Sequence, residues 1–327
     1  MKKLLFILAM LMPLIAEAEI AEVNGIRYNL IPKANLAEVT SNPFGYSGIV
    51  DIPESITYDG ANYNVVTIGE SAFSGCSGLT SITIPNSITT IEELAFSQCE
   101  GLNTIKIPNS VTTIKDNAFQ ACKNLKSIYI GDGVRTIGTN AFFHCNNLEE
   151  VHITNLKAWC QIKFKGDYSR TPANANPLSQ NGHLYLNGIE IKDLIIPDDA
   201  GLIEEYTFYG CSGLASVTIP KDVTSIGSYS FSGCNSLEDL QIEEGVRSIG
   251  EGAFANCARL TSTYIPNSVT SIGKEAFSRC QSLVDFTIPN YITSIEVGLF
   301  RNCSSLRNVT IPNSVARIGG SSFSGCI

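Results

Sequence analysis

The chain repeats a 23-residue unit, and this repeat limits the possible folds more than any other feature. Its cysteines recur every 23 residues in two series, and each has a phenylalanine three residues before it. They are Cys76, Cys99, Cys122, Cys145, Cys211, Cys234, Cys257, Cys280, Cys303 and Cys326. The unit reads I-G-x-x-A-F-x-x-C-x-x-L-x-x-I-x-I-P-x-S-V-T-x. A unit this short cannot bury its own apolar face, so the copies must stack as a solenoid.

Each segment of the unit predicts a local structure. The I-x-I segment alternates apolar and polar residues, which is the period of a half-buried strand, and the proline that follows ends that strand. The V-T-x-I segment predicts a second short strand, and A-F-x-x-C predicts one helical turn that inserts its phenylalanine into the core. We therefore expect a mainly β solenoid, with short parallel strands stacked rung on rung and single helical turns between them.

The unit is similar to the leucine-rich repeats of the BspA-like bacterial surface protein family, which run C-x-x-L-x-x-I-x-L-P-x-x-L-x-x-I-G-x-x-A-F-x-x-C. The resemblance covers nearly all of the chain after residue 18, although Gly131 and Glu243 replace the proline and Thr263 replaces the first strand isoleucine. It implies a leucine-rich repeat fold. It also implies a cell-surface or secreted adhesin that binds other bacteria or host matrix proteins such as fibronectin and fibrinogen.

The first 18 residues have the pattern of a secretory signal peptide. Lys2 and Lys3 precede an apolar run, and Ala16-Glu17-Ala18 forms a small-x-small cleavage site, so we expect cleavage after Ala18 and a secreted or cell-surface protein. No later stretch is long and apolar enough for a membrane span. The expected divisions are N-terminal cap strands at 19–63, a first repeat block at 64–153, an insertion at 154–191 and a second block at 192–327.

The insertion interrupts the ladder between Cys145 and Cys211, which are separated by three residues fewer than three full repeats. Asn187-Gly188 between two alternating apolar segments predicts a β-hairpin, which we expect to project from the solenoid. The only tryptophan, Trp159, lies earlier in the insertion. It either fills a gap in the core or belongs to a recognition loop, and the sequence leaves both interpretations open.

The cysteines and histidines do not form a pattern that indicates catalysis or metal binding. Stacked rungs place equivalent cysteines about 4.8 Å apart, whereas disulfide Cβ atoms lie about 3.8 Å apart, so we expect free, buried thiols along the ladder. The redox state of Cys160, which lies off the ladder, stays open. The three histidines match no catalytic or metal-binding spacing. We expect no enzyme activity, no cofactor and no metal.

Charge excludes two classes of partner. The formal net charge is −9 and the chain has no basic run, so it is poorly suited to binding nucleic acid or anionic membranes. With 44% hydrophobic and 16% charged residues, it has enough apolar material for a packed core.

The outward residue of each I-x-I segment forms a stripe, with one side chain per rung. The stripe is Thr83, Lys106, Tyr129, His152 in the first block and Thr218, Gln241, Tyr264, Thr287, Thr310 in the second. Its larger members suit recognition. The alternative is an ordinary polar sheet face. The candidate ligand-binding residues are Lys106, Tyr129, His152, Gln241, Tyr264 and Trp159.

These patterns predict an exported binding module whose partner is a protein or glycan on host or neighbouring cells. The alternative is a structural spacer or a component of a surface layer that has no ligand of its own. The chain stops at Cys326-Ile327, within a repeat. An apolar rung left open there would favour end-to-end self-association.

Overall fold

The computed structural model describes residues 19–166 and 172–326. These residues form a β-solenoid of about 11 turns with parallel stacked strands and little helix, as the repeat predicts. The expected signal peptide, residues 1–18, lies outside the described residues. Within the described ranges, no helix has the length and apolarity needed to cross a membrane.

Each rung contributes a first strand from its I-x-I segment. In chain order these strands are Gly48–Asp51, Leu79–Thr83, Thr104–Lys106, Ser127–Tyr129, Glu150–Ile153, His183–Leu186, Asp193–Ile195, Ser216–Ile219, Asp239–Ile242, Ser262–Tyr264, Asp285–Thr287 and Asn308–Thr310. Neighbouring strands pair in parallel and mostly in register, so that Ile105, Ile128 and Val151 are direct partners. The buried and exposed side chains of successive rungs therefore lie above one another.

The second strands also pair in parallel, in three runs that are separated after Lys163–Phe164 and after Ser271–Ile272. They are Ala61–Ile68, Thr90–Ile91, Thr113–Ile114, Thr136–Ile137, Lys163–Phe164, Leu202–Ile203, Ser225–Ile226, Ser248–Ile249, Ser271–Ile272, Ser294–Ile295 and Arg317–Ile318. The isoleucine of each pair is buried in most rungs, and the residue before it faces outward.

A small cap covers the first rung. Its strands are Glu19–Val23, Ile26–Ile31, Leu36–Thr40 and Ser55–Tyr58, with a 3-10 turn at Pro32–Ala34. The first three form an antiparallel meander, and Leu36–Thr40 then pairs in parallel with Ala61–Ile68. Tyr46 packs against Phe73 with ring centroids 4.7 Å apart, which joins the cap to the phenylalanine column.

The A-F-x-x-C segments form linked tight turns, so the predicted helical turn is wrong in this detail. The residue just before each segment and the residue before its cysteine have positive φ, as Leu94 (57°) and Gln98 (60°) do on either side of Phe96. This backbone conformation interrupts a right-handed helix. It also turns amide groups toward the next rung, where Phe96 N donates to the Ala118 carbonyl at 2.7 Å. The turns therefore form a third inter-rung ladder of hydrogen bonds.

Phenylalanine and cysteine columns fill the core behind these turns. Phe73, Phe96, Phe119 and Phe142 stack with centroids 5.1–5.3 Å apart and nearly parallel planes. In the first block the phenylalanine rings and Cys99, Cys122 and Cys145 are at most 1% exposed. Fully burying one such ring is worth about 1.5–3 kcal/mol, so stability comes mainly from contacts between adjacent rungs.

The insertion forms two enlarged rungs. In the first, the helix Leu156–Cys160 precedes the second strand Lys163–Phe164. The next has 3-10 turns at Pro172–Ala175 and Pro177–Gln180, then the first strand His183–Leu186. Within it, Ile189–Glu190 runs back before Asp193–Ile195, and a further 3-10 turn follows at Asp198–Ala200.

Hydrogen bonds to the flanking rungs hold the insertion in the solenoid. Phe142 N donates to the Asn174 carbonyl at 3.0 Å, as the third ladder requires. The fully buried Asn176 side chain donates to the carbonyl oxygens of Tyr206 and Thr207 at 2.6 and 3.0 Å.

The hairpin forms as predicted, but the expectation that it projects from the solenoid is wrong. Its first strand, His183–Leu186, pairs in parallel and in register with Glu150–Ile153, and only the return strand is antiparallel. Leu184 is fully buried beside Val151. The hairpin therefore extends the first-strand sheet.

Candidate ligand-binding groove

The stripe predicted from the sequence contains one compact cluster. Strand register places Lys106, Tyr129, His152 and Tyr185 side by side on four adjacent parallel first strands. We call these four side chains the stack. Each occupies the outward position of its strand, because side chains alternate between faces and the flanking apolar residues point into the core.

The rings of the stack lie face to face. The Tyr129 and His152 centroids are 4.3 Å apart with planes 10° from parallel, and those of His152 and Tyr185 are 4.6 Å apart at 26°. The Lys106 ammonium lies 5.3 Å from the Tyr129 centroid, over the other face of that ring. Such stacking and cation–π contacts contribute about 0.5–1.5 kcal/mol each, which makes this a preorganised part of the sheet.

His152 is largely buried between the two tyrosine rings of the stack. Its side chain is only 12% exposed, and its Nε2 lies 3.1 Å from Oε2 of Glu150, which is itself 47% exposed. The other ring nitrogen, Nδ1, is buried and has no hydrogen-bond partner among the described residues. His152 therefore sets the spacing of the two tyrosines, which flank it.

Acidic groups surround the far end of the stack. Glu190 is the cross-strand partner of Tyr185 in the hairpin, and its Oε1 lies 2.6 Å from Nδ1 of His183. Burial raises the pKa of the Tyr185 hydroxyl, and the nearby carboxylates of Glu150, Glu190 and Glu149 raise it further. The hydroxyl of Tyr185 is therefore a neutral donor at physiological pH.

A groove of about 370 Å³ runs beside the stack at the ends of the first strands. Ile107, Ile130 and Ile153 form its apolar floor, and the hairpin turn Asn187-Gly188 forms one wall. Asn187 N donates to the Ile153 carbonyl at 3.0 Å, which fixes the wall to the floor. Asn187 and Gly188 have φ of 51° and 81°, the positive values that a tight hairpin turn requires.

Gly131 lies on the groove floor at a position where most rungs have proline. A Cβ there would approach the carbonyl carbon and oxygen of Pro108 to 2.5 Å, so only glycine fits the backbone of this rung. The change from proline also supplies an N–H group. At the equivalent position Glu243 N donates to the Ile219 carbonyl at 2.9 Å, but the described residues supply no acceptor for Gly131 N.

The two candidates from the second block are neighbours without a comparable cluster. Gln241 and Tyr264 are cross-strand partners on adjacent first strands. Gln241 Nε2 donates to Asp239 Oδ2 at 3.1 Å, and the Tyr264 ring is 63% exposed. They lie on the same face as the stack but several rungs away, so they form a separate position.

Trp159 is in the core, so a ligand on the surface cannot reach its ring. It is 1% exposed and packs edge-on against Phe164 with centroids 5.6 Å apart. Together with Ile130, Gly131 and Ile153, which also line the groove, it borders a cavity of about 10 Å³. The structure thus places Trp159 behind the groove floor, where it fills the gap in the repeat.

Tyr185 and the hairpin turn were missed as site residues by the sequence reasoning. Tyr185 follows His152 by 33 residues rather than 23, so a search at the repeat spacing does not find it. The signal available was Leu184-Tyr185-Leu186, which has the same apolar-x-apolar pattern as the other first strands.

The environment of the ladder thiols indicates a structural role, because they are free and nearly all of them are buried. All eleven cysteines are free, and all except Cys326 are buried. Burial raises the pKa of Cys99 and Cys160 to about 12, which keeps these thiols protonated and unreactive. Among the described residues, no three histidine, cysteine or acidic side chains are grouped so that they could hold a metal ion.

Comparison with known families agrees with this architecture. The family description "BspA type Leucine rich repeat region" matches residues 34–169 and 186–327 in six copies. The chain belongs to this family. No curated protein matches the sequence.

Solved structures of bacterial leucine-rich repeat proteins have the same fold as this BspA-type chain. A leucine-rich repeat protein from Bacteroides ovatus is 27% identical, covers 94% of this chain and 92% of its own, and gives a TM-score of 0.51. A leucine rich cell surface protein from Faecalibacterium prausnitzii is 25% identical, with the same coverage and a TM-score of 0.53. The pneumococcal vaccine antigen PcpA, at 18% identity, 93% and 89% coverage and a TM-score of 0.50, shares the fold alone.

Proposed function

We propose that this protein is an exported binding module that holds a partner on another cell or its matrix in the groove beside the stack. The observation that carries the proposal is the alignment of Lys106, Tyr129, His152 and Tyr185 across four strands, next to an apolar floor and a hairpin wall. Interfaces are enriched in tyrosine, and rigid aromatic side chains lose little conformational entropy on binding.

Three further features support an exported protein with a surface suited to binding large partners. The N-terminal 18 residues have the pattern of a secretory signal. The chain is a BspA-type repeat protein, and the similar protein from Faecalibacterium prausnitzii is described as a cell surface protein. Solenoids also offer long continuous surfaces that suit binding to large partners. The proposed role is adhesion to a host matrix protein or to a neighbouring cell.

An array of matrix proteins and surface glycans tests this proposal. The mature chain, residues 19–327, is compared with a stack variant, Lys106→Ala with Tyr129→Ala. The matched control is Lys221→Ala with Tyr291→Ala, which removes an exposed lysine and a 67% exposed tyrosine from other rungs. A third variant, Gln241→Ala with Tyr264→Ala, tests the second-block position.

The proposal predicts at least one ligand on the array whose binding weakens by about tenfold or more in the stack variant and is unchanged in the control. A ligand that the stack variant retains but the Gln241→Ala, Tyr264→Ala variant loses would move the site to the second block. Absence of any ligand would favour the spacer role over adhesion.

A further inference from the structure

We infer that the groove recognises an extended peptide segment carrying an acidic residue and, about four residues away, a basic residue. This inference rests on the proposed function and specifies the chemistry of its ligand. It follows from three features: which parts of the rings are accessible, where the charges lie, and how far apart they are.

Two rings of the stack, Tyr129 and His152, have both faces covered and offer only their edges to a ligand. Tyr129 is covered by Lys106 on one face and by His152 on the other, and His152 lies between two tyrosine rings. Sugar rings stack on open aromatic faces, and these two rings have none to offer. Tyr129 is still 38% exposed, so the part of it that a ligand can reach is the edge of the side chain. This geometry favours a peptide over a glycan.

One end of the stack is rich in unpaired donors. The Lys106 side chain is exposed and forms no ion pair among the described residues. The Tyr129 hydroxyl and the Gly131 N–H are likewise without hydrogen-bond acceptors in the described part of the chain. An ammonium group, a hydroxyl and a backbone N–H together are complementary to a carboxylate, which accepts several hydrogen bonds at once.

The opposite end is acidic. Glu150 and Glu190 lie near Tyr185, with side chains 47% and 24% exposed. Glu190 Oε1 contacts His183 Nδ1 at 2.6 Å, and its Oε2 lies 3.9 Å from the Lys192 ammonium. Burial raises the pKa of the Tyr185 hydroxyl, and the negative charges of these carboxylates and of Glu149 raise it further. A second acidic residue of the ligand would be repelled here, whereas a lysine or arginine would be attracted.

The spacing of the two ends sets the spacing of the ligand charges. Lys106 and Tyr185 are three strand steps apart, and at about 4.8 Å per step this is roughly 14 Å. An extended chain rises about 3.3 Å per residue, so the charged residues would be about four positions apart. Ile107, Ile130 and Ile153 line the groove next to Lys106, Tyr129 and His152, so this part of the path suits uncharged side chains.

Histidine resonances provide a direct readout, because the chain has only three histidines. The mature chain is labelled with 13C-histidine and titrated with acetyl-Glu-Val-Thr-Val-Lys-amide. His152 lies in the stack, while His144 lies in an A-F-x-x-C turn and serves as the internal reference. Two control peptides carry glutamate at both ends or lysine at both ends.

The inference predicts a saturable shift of the His152 resonance with the Glu/Lys peptide and an affinity about tenfold weaker for both controls. Lys106→Glu should weaken the Glu/Lys peptide about tenfold and strengthen the Lys/Lys peptide, since it reverses the charge at one end only. Equal responses to all three peptides, no response of His152, or an unchanged ranking in Lys106→Glu would overturn it. If an array ligand depends on the stack and the peptides fail, the inference falls while the proposed function stands.

Discussion

The Sγ atom of Cys99 donates a hydrogen bond to the carbonyl oxygen of Phe73, 3.0 Å away and 26 residues earlier in the chain. The same bond recurs at 3.0–3.3 Å from Cys122, Cys145, Cys234, Cys257, Cys280, Cys303 and Cys326. The thiol is small enough to lie under the next rung and still provides a donor. The cysteine column therefore ties each turn to the turn before it.

Removing one interior thiol should destabilise the solenoid measurably. Cys122→Ala deletes the bond to the Phe96 carbonyl and leaves a small void at a fully buried position, so we expect a loss of about 1–2 kcal/mol. Cys326→Ala is the comparison. Its thiol makes the same bond, to the Phe300 carbonyl at 3.2 Å, but is only partly buried, so its cost should stay within about 0.5 kcal/mol. Urea unfolding measures both, and equal costs would show that the column does not contribute as described.

The buried thiols also predict how stability changes with pH. Burial raises the pKa of Cys99, Cys211 and Cys257 from 9.0 to about 12. Because the pKa values of these thiols are higher in the folded state than in the unfolded state, keeping the thiols protonated stabilises the fold. This contribution is fully present below pH 9 and is lost as the pH rises toward 12. Urea midpoints under reducing conditions should thus be level from pH 7 to 8.5 and fall above pH 9.

Tyrosines, whose ordinary pKa is 10.0, also titrate in this pH range. A comparison variant distinguishes the effect of the thiols on stability from that of the tyrosines. With Cys99, Cys211 and Cys257 changed to alanine, the decline between pH 9 and 10 should be shallower, whatever the starting stability. An identical decline in this variant would show that other groups cause it.

Asn176 should be the residue on which the insertion most depends. Its buried amide donates to two carbonyl oxygens and its Oδ1 accepts from Leu178 N at 2.9 Å, so Asn176→Ala removes three buried hydrogen bonds. We expect a cost of about 2–4 kcal/mol. In Asn124→Ala, which removes an exposed bond to the Glu100 carbonyl, the cost should be about 0.5 kcal/mol or less. Thermal unfolding of the two variants checks this ranking.

The Gly131→Ala variant tests how closely the backbone of the groove floor packs against the adjacent rung. Gly131→Ala places a Cβ against backbone atoms of Pro108 that cannot move independently, so we expect about 2–3 kcal/mol of destabilisation. Gly320→Ala is the control, because nothing lies within 4 Å of its added Cβ and its φ is negative. It should leave the denaturation midpoint nearly unchanged. A neutral Gly131→Ala would mean that adjacent rungs are less closely packed than described.

Most of the fold could be predicted because the repeat places the same residue at the same position in every rung. Ile105 stacks on Ile128, and Phe96 on Phe119, since a constant spacing leaves only one register that buries both columns. The turn conformation could not be predicted in the same way. Leu94 and Gln98 adopt positive φ although neither is glycine, and only the inter-rung hydrogen bonds account for that.

The insertion was harder to predict because its spacing departs from the repeat. In the sequence, a lone tryptophan such as Trp159 favours a core plug but leaves a surface loop open, and the choice depends on the space left beside Phe164. Tyr185 joins the stack only because the hairpin strand pairs with Glu150–Ile153, a long-range contact that no local pattern specifies. Half of the stack's ring contacts were thus beyond the sequence, although Lys106, Tyr129 and His152 were identified from it.

The most direct test of the account is the affinity of the strongest array ligand for the purified mature chain and its variants, measured by calorimetry. We predict that Lys106→Ala with Tyr129→Ala binds about tenfold or more weakly than the unmodified chain while it is still folded at the assay temperature, whereas Lys221→Ala with Tyr291→Ala binds normally. Equal affinity for all three proteins would contradict the assignment of the groove as the binding site.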